Sequence, residues 1–412
     1  MNFQRLRSAG TMFALLFVLV ASVSAQRKQP KLDDMLSVNS AQGREFWIAV
    51  PPNELNPFPV DELEIYVASL FDTEIEVFDA SAQRTYKRTI QANQIRTLSD
   101  SRGETNWTWE VRESEQVVRK GVRITSKHPI SVYVLNSKVT SSDGYLAIPT
   151  TAWGTDYINC SYWDFREVRN WAGGFLVIAK EEGTTIQVDL RGSGELDART
   201  AGGRRINTGQ LITQTLGAGD IYMVKGDGTT RGLFDLTGSR VRSNKPIGFI
   251  PLHERTTMPN MLINGNGRNH LCEMMPPVNT WGKKYTTVEY LRENLNGQGK
   301  GDVFRVVASQ PGTKWTMKAY DLLTKQVIKQ DGGVLNRSGD FADVQQSQVP
   351  ANLPSGFTVW EADKPVFVMQ YSCSQSWDGD PILDPFMIIV VPEEQFITST
   401  IFQTPVNGKF QK

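Results

Sequence analysis

Histidine and cysteine are scarce, three of each in 412 residues. His128, His253 and His270 are scattered through the chain, and none forms the paired spacing of a zinc centre. No G-x-S-x-G elbow, phosphate-binding loop or Cys–His signature is present. Catalysis is therefore not written in any motif, and the chain reads as a non-enzyme. Charge of one sign is lacking too. The 44 basic residues match 44 acidic ones, and no basic block occurs, which argues against nucleic acid as a partner. No amphipathic helix of three turns is visible, and Ser114–Lys120 allows one short turn at most. Beyond the leader no apolar run approaches the length that spans a bilayer. The nearest, Phe386–Val391, has strand length, so the mature chain is expected not to cross a membrane.

The leader itself is residues 1–25. Arg5 and Arg7 precede the apolar run Met12–Val20, and Val23-Ser24-Ala25 forms a small-residue cleavage site. This is the pattern of a secretory signal peptide cut after Ala25. It predicts a protein that is secreted or held at a cell surface. Residues 26–42 follow as a polar linker.

The remainder is repetitive. Trp153–Val188 reads WGTDYINCSYW, a spacer, then FLVIAKEEGTTIQV; Trp281–Met317 reads WGKKYTTVEY, a spacer, then FRVVASQPGTKWTM. Phe175 aligns with Phe304, Ala179 with Ala308, Gly183 with Gly312 and Thr184 with Thr313. A weaker copy, Glu64–Val77, places Ala68 and Thr73 at the same offsets. Each copy closes on a second signature, GVRITSKHPISVYV, GSRVRSNKPIGFI or GFTVWEADKPVFVMQ. Each reads as a strand, a polar turn, then Pro129, Pro246 or Pro365 opening a strongly apolar strand. Linkers of the form Pro-x-x-x-aromatic (Pro149–Trp153, Pro277–Trp281 and Pro392–Phe396) join the copies. Alternation such as Glu74–Val77, with Ile75 and Val77 between acids, marks half-buried strands. Spacing of the three prolines gives a period of about 120 residues, the size of a β-sandwich domain. The expected fold is all-β, with three tandem β-sandwich-like repeats at 43–144, 145–274 and 275–391. Residues 392–412 are a final strand or the start of a further module.

Candidate sites lie where the copies disagree: the spacers at 162–173 and 290–302 and the loops at 252–271 and 372–385. Trp163 and Trp171 fall in the first of these and are the candidate ligand-binding residues, because exposed indoles stack on sugars and anchor interfaces. Trp153 and Trp281 recur and read as core. Asp378, Asp380 and Asp384 offer oxygen ligands for calcium, without the spacing of a calcium loop; the alternative is an Asp-capped turn. No other cofactor is expected. Cys160 alternates in phase with Ile158 and Tyr162 and reads as a buried strand thiol. Cys272 and Cys373 follow equivalent strands of successive repeats and are the expected disulfide, with three thiols as the alternative.

The stretches SSDGYLAIPTTAWGTDY, DLTGSRVRSNKPIG, LCEMMPPVNTWGKKY and FRVVASQPGTKW resemble the N-terminal domain family of IgG-Fc-binding protein, over roughly Gly43 to Thr398. The resemblance implies extracellular binding or adhesion, in mucus or at a cell surface, with a glycoprotein, glycan or protein as partner. It supplies no binding residues. Two other functions stay open on the residues alone: a structural spacer of a surface protein, and a carbohydrate-active hydrolase, which needs two carboxylates across a cleft.

Overall fold

Alternating burial builds the sheets. Thr73–Asp79 (TEIEVFD) turns Ile75 and Val77 inward and Glu74 and Glu76 to water. Thr313–Tyr320 does the same with Trp315 and Met317 inside. A computed structural model describes residues 41–54, 62–98, 109–166, 169–229, 234–259, 267–290, 301–345, 356–378 and 384–396. The leader, most of the 26–42 linker and Asp380 lie outside these residues.

Three large antiparallel sheets follow one another along the chain, each half-closed into a sandwich-like barrel around one long strand. The three long strands are Val122–Lys138, Arg240–Thr256 and Phe357–Tyr371. In the first sheet the leading half of the long strand pairs with Gly43–Ile48 and Thr73–Asp79. The trailing half pairs with Glu62–Ser69 and Ser141–Leu146. The second sheet repeats this plan with Gly154–Ile158, Thr184–Asp189, Gly173–Ala179 and Asn269–Cys272. The third repeats it with Gly282–Val288, Thr313–Tyr320, Val303–Ala308 and Met387–Ile389.

The proline signature is thus not a strand, a turn and a second strand. It is one continuous strand that changes partners at a bend. Residues 127–129, 244–246 and 363–365 lie between the two sets of ladder partners. Pro129, Pro246 and Pro365 each take the last of those three places, where a missing N–H breaks no ladder. The polar residues before them cap the adjacent hairpin. Asn244 and Asp363 accept the N–H groups of Thr185 and Lys314. The ammonium groups of Lys245 and Lys364 donate to the carbonyls of Glu182 and Pro311, beside Gly183 and Gly312 at φ +66°. In the first repeat His128 stacks on Phe71 instead.

The ladder also corrects the alignment of the first copy. Ser69 pairs with Ile130 as Ala179 pairs with Ile247 and Ala308 with Val366, so Ser69, not Ala68, is the equivalent residue. Its hairpin turn is one residue shorter.

Each sheet closes on its own exit. The first glycine of each leading strand, Gly43, Gly154 or Gly282, faces the following linker proline, Pro149, Pro277 or Pro392. A Cβ on the glycine would lie 2.3–2.5 Å from the proline Cβ. That contact admits no other residue. A single 3-10 turn follows each proline: Thr150–Ala152, Val278–Thr280 and Glu393–Gln395.

Strands buried on both faces join the repeats. In Gly173–Ala179, Phe175, Val177 and Ala179 enter the core of the second repeat, while Leu176 and Ile178 enter a core shared with the first. In Val303–Ala308, Phe304, Val306 and Ala308 enter the third core, and Val303 and Val307 face the second repeat. Ser114–Lys120 supplies no helical turn. Its Val117–Val118 pairs with Ile221–Lys225 and extends the second sheet from the first repeat.

Candidate functional site

The described ends of two divergent loops, at Asn269 and at Asp384–Pro385, meet the Lys138–Ser142 hairpin of the first repeat. The site begins at Asn269. Its amide donates to the carbonyls of Ser142 and Pro385, both at 2.7 Å, and accepts the Ser142 N–H at 2.6 Å. One side chain thereby ties the three repeats together. Above it lies a polar crevice of about 320 Å³, lined by residues 138–142, Asn269, Asp384 and Phe386. Val139 is exposed on its rim.

A wall of charged groups stands behind this lining. Arg255, on the trailing end of the second long strand, pairs with Glu54 of the first repeat. Glu54 also accepts the Thr140 hydroxyl at 2.5 Å, and its carbonyl accepts the Lys138 ammonium at 2.6 Å. Burial, and then Arg268 nearby, lower the pKa of Arg255, while Asp384 opposes them. Asp384 is raised by burial against the pull of Arg255. The crevice therefore offers hydroxyls, an amide and a partly desolvated carboxylate, a set suited to hydrogen-bonding a polar ligand.

Trp171 and Trp163 stand behind this wall. Trp171 is buried, with Arg255 6.0 Å from its ring. It belongs to the small hairpin of Phe165–Arg166 and Asn170–Trp171. Trp163 is partly buried between repeats: its indole N–H donates to Asp343 at 3.1 Å and its ring meets Phe341 edge-on. The structure brings both indoles to the junction, Trp171 beside the crevice wall and Trp163 on the contact with the third repeat. His253 and His270 are fully buried nearby. The ring Nε2 of His253 lies 3.0 Å from the Trp163 carbonyl, and His270 Nδ1 lies 2.9 Å from the His253 carbonyl.

Of the calcium candidates, Asp380 and the side chain of Asp378 lie outside the described residues, and Asp384 faces Arg255. Among the described residues no group of three or more His, Cys, Asp or Glu is placed to hold a metal ion. Asp143, in the corresponding place after the first repeat, accepts the N–H groups of Gly144 and Cys272. Burial raises its pKa well above the usual carboxylate range, and that of Glu273 likewise. The disulfide expected between Cys272 and Cys373 is not formed. All three cysteines are buried thiols, and these two sit in different cores, Cys272 with the first and second repeats and Cys373 with the second and third. Burial pushes the Cys160 thiol up to about 12.

Arg305 was invisible to motif reasoning. It occupies the place of Leu176 in the next repeat and is fully buried. Its guanidinium donates to Asp235 at 2.5 Å, to both oxygens of Asp343 at 2.7 and 2.8 Å, and to the Ser161 carbonyl at 2.7 Å. The only signal was one charge inside an otherwise apolar strand, FRVVA against FLVIA.

Among the described residues no helix is long and apolar enough to cross a membrane. No curated protein matches the chain. The family described as IgGFc binding protein matches residues 143–411, which takes in the second and third repeats. That match spans well over half of the sequence, and the chain belongs to the IgGFc binding protein family.

Proposed function

We propose that this is a secreted binding or adhesion protein that holds a glycan, a glycoprotein or a protein ligand in the crevice between its repeats. The observation that carries the reading is convergence. Repeated residues fill cores and turns, whereas residues of all three repeats, Thr140, Asn269 and Asp384 among them, line one polar crevice, with the Glu54–Arg255 pair bonded behind Thr140. Variable loops on a rigid scaffold are the usual seat of recognition. The leader supports export, and the family's name makes immunoglobulin G Fc one ligand to try. Trp163 and Trp171 serve as the aromatic support beside the polar groups.

The test is binding of the purified chain to immobilised glycans, mucus glycoproteins and immunoglobulin Fc. Thr140→Arg and Asp384→Ala alter the crevice, and Trp163→Ala and Trp171→Ala alter its support. Loss of a captured ligand in the crevice variants, with circular dichroism unchanged, supports the site. Undiminished binding by all four variants removes it.

The shared cores favour a second reading, a stiff spacer between other surface modules. Absence of any ligand across the panel favours it. The hydrolase reading gains little here, because Asp143 is engaged by backbone N–H groups and so is poorly placed for proton transfer.

A further inference from the structure

Each repeat ends one side of its sheet in a strand laddered along one edge only: Arg84–Ile90, Leu211–Leu216 and Val327–Leu335. An open edge is a template for another strand, and proteins guard it with charge or bulges. The first of these edges carries Arg84, Lys87 and Arg88. The third carries Lys329 and Asp331, with a shift of register beside Tyr320. Leu211–Leu216 (LITQTL) has neither guard. No charged residue occurs from Ile206 to Gly219, and its register with Thr184–Asp189 runs without a bulge. The strand sits well inside residues 169–229, which are described without a break.

The direction of its backbone groups follows from the strand beside it. The Thr185 N–H points to Asn244 on the long strand, so Thr184, Ile186 and Val188 point the other way and bond Leu216, Gln214 and Ile212. Leu211, Thr213 and Thr215 therefore turn their N–H and C=O groups outward. Among the described residues the one partner those groups have is the Gln214 amide, which donates to the Thr215 carbonyl at 3.2 Å. Leu211 is 57% exposed, and Thr213 and Thr215 are exposed on the outer face.

We infer that Leu211–Leu216 is the contact of a two-fold homodimer, pairing antiparallel with the same strand of a second copy about an axis at Gln214. The occupant is a second copy because the strand complements itself. Ile212–Leu216 runs aliphatic, Thr, Gln, Thr, aliphatic, the same in either direction. Reversal sets Ile212 against Leu216, Gln214 against Gln214 and Thr213 against Thr215. The two threonine pairs each exchange two backbone bonds, and no like charges meet. A slip of two residues would set Ile212 on Gln214 and lose that match. The contact is isologous, so it closes at a pair. It joins two second sheets into one and gives the assembly two crevices, which raises avidity for a repetitive ligand.

Sedimentation velocity of the purified full chain over a concentration series tests this. Wild type is expected to pass from monomer to dimer and no further. The double variant Thr213→Lys, Thr215→Lys sets lysine against lysine across the axis at exposed positions. It is expected to stay monomeric with an unchanged melting temperature. Register is read by cross-linking, since the three native thiols are buried. Gln214→Cys is expected to give a covalent dimer on mild oxidation, because facing residues of such a pair lie within disulfide reach. Gln187→Cys, exposed one strand further in, is expected to give none. A wild type that stays monomeric or grows beyond a dimer, a dimer unaffected by the two lysines, or cross-linking no better at position 214 than at 187 each overturns the proposal.

Discussion

Arg305 replaces Leu176 at equivalent places in successive repeats, and the exchange changes how two repeats hold together. Leu176 joins its neighbour through an apolar core. Arg305 joins through a desolvated guanidinium, 4.1 Å above the Phe341 ring and bonded to Asp235 and Asp343. Burial opposes its charge, but the two carboxylates outweigh burial and hold its pKa above the usual arginine value. The side chain of Asp235 is wholly buried, whereas that of Asp343 is 25% exposed. Removing the cation strands Asp235 in a dry interior. Arg305→Leu is therefore expected to destabilise the protein by about 3–5 kcal/mol in urea denaturation, despite restoring the residue type of the preceding repeat. Adding Asp235→Asn should recover part of that loss, because it removes the stranded charge. Strictly additive losses in the double variant contradict a coupled pair.

At the level of the strand, the bend is the device that makes each sheet fold back on itself, and a tyrosine bolts it. The Tyr157 hydroxyl accepts the Gly154 N–H at 2.9 Å and donates to the Ile247 carbonyl at 2.8 Å, just past Pro246. Tyr285 repeats this with Gly282 and Val366. In the first repeat Phe46 takes the position and the bolt is missing. Tyr157→Phe and Tyr285→Phe are each expected to cost about 1–3 kcal/mol, since a buried N–H and a carbonyl lose their partner. Phe46→Tyr should cost nothing or stabilise, and thermal unfolding of the three variants checks the series. Much of this frame was legible. Trp-Gly, Tyr, the Gly-Thr turn and the bend proline stood out because they recur at a fixed period. The continuity of the long strand was not legible, because three residues between ladders have the same polar composition as a turn. Nor was the lack of the disulfide: Cys272 lies on the strand equivalent to Met387–Ile389, whereas Cys373 follows the long strand of the third repeat, and the two enter different cores. The first repeat was the hardest to align for a physical reason: with Gln42, Phe46 and a shortened turn, it lacks the residues that mark the other two.

For the molecule as a whole, the repeats were readable one at a time, but the way they pack was not. The joining faces are the second sides of strands buried on both faces, and such a run does not show which neighbour each residue meets. Packing brings His253 and His270 to the three-repeat junction, where burial pushes both down to about 3 from 6.5. Geometry agrees for His253. Its Nδ1 accepts the Arg255 N–H, leaving the proton on Nε2 toward the Trp163 carbonyl, so the ring is neutral. Between pH 6.5 and about 3 the unfolded chain holds a proton on each histidine that the native chain lacks. Stability from these groups is complete above that window and falls as the solution is acidified, by up to about 1.4 kcal/mol per pH unit for each histidine. Asp143 and Glu273 act in the opposite sense. Burial raises both, so the native state takes up their protons first and gains stability on acidification. The wild-type profile is thus shallower than the histidines alone dictate, and single variants separate the two effects. His253→Asn is expected to destabilise most above about pH 6.5, with its deficit against wild type shrinking as the pH falls toward about 4.5. Asp143→Asn is expected to do the reverse, with its deficit against wild type growing on acidification. Melting temperatures of the three proteins across that range decide the matter: deficits that do not change with pH would mean that these groups enter the native state without changing their protonation.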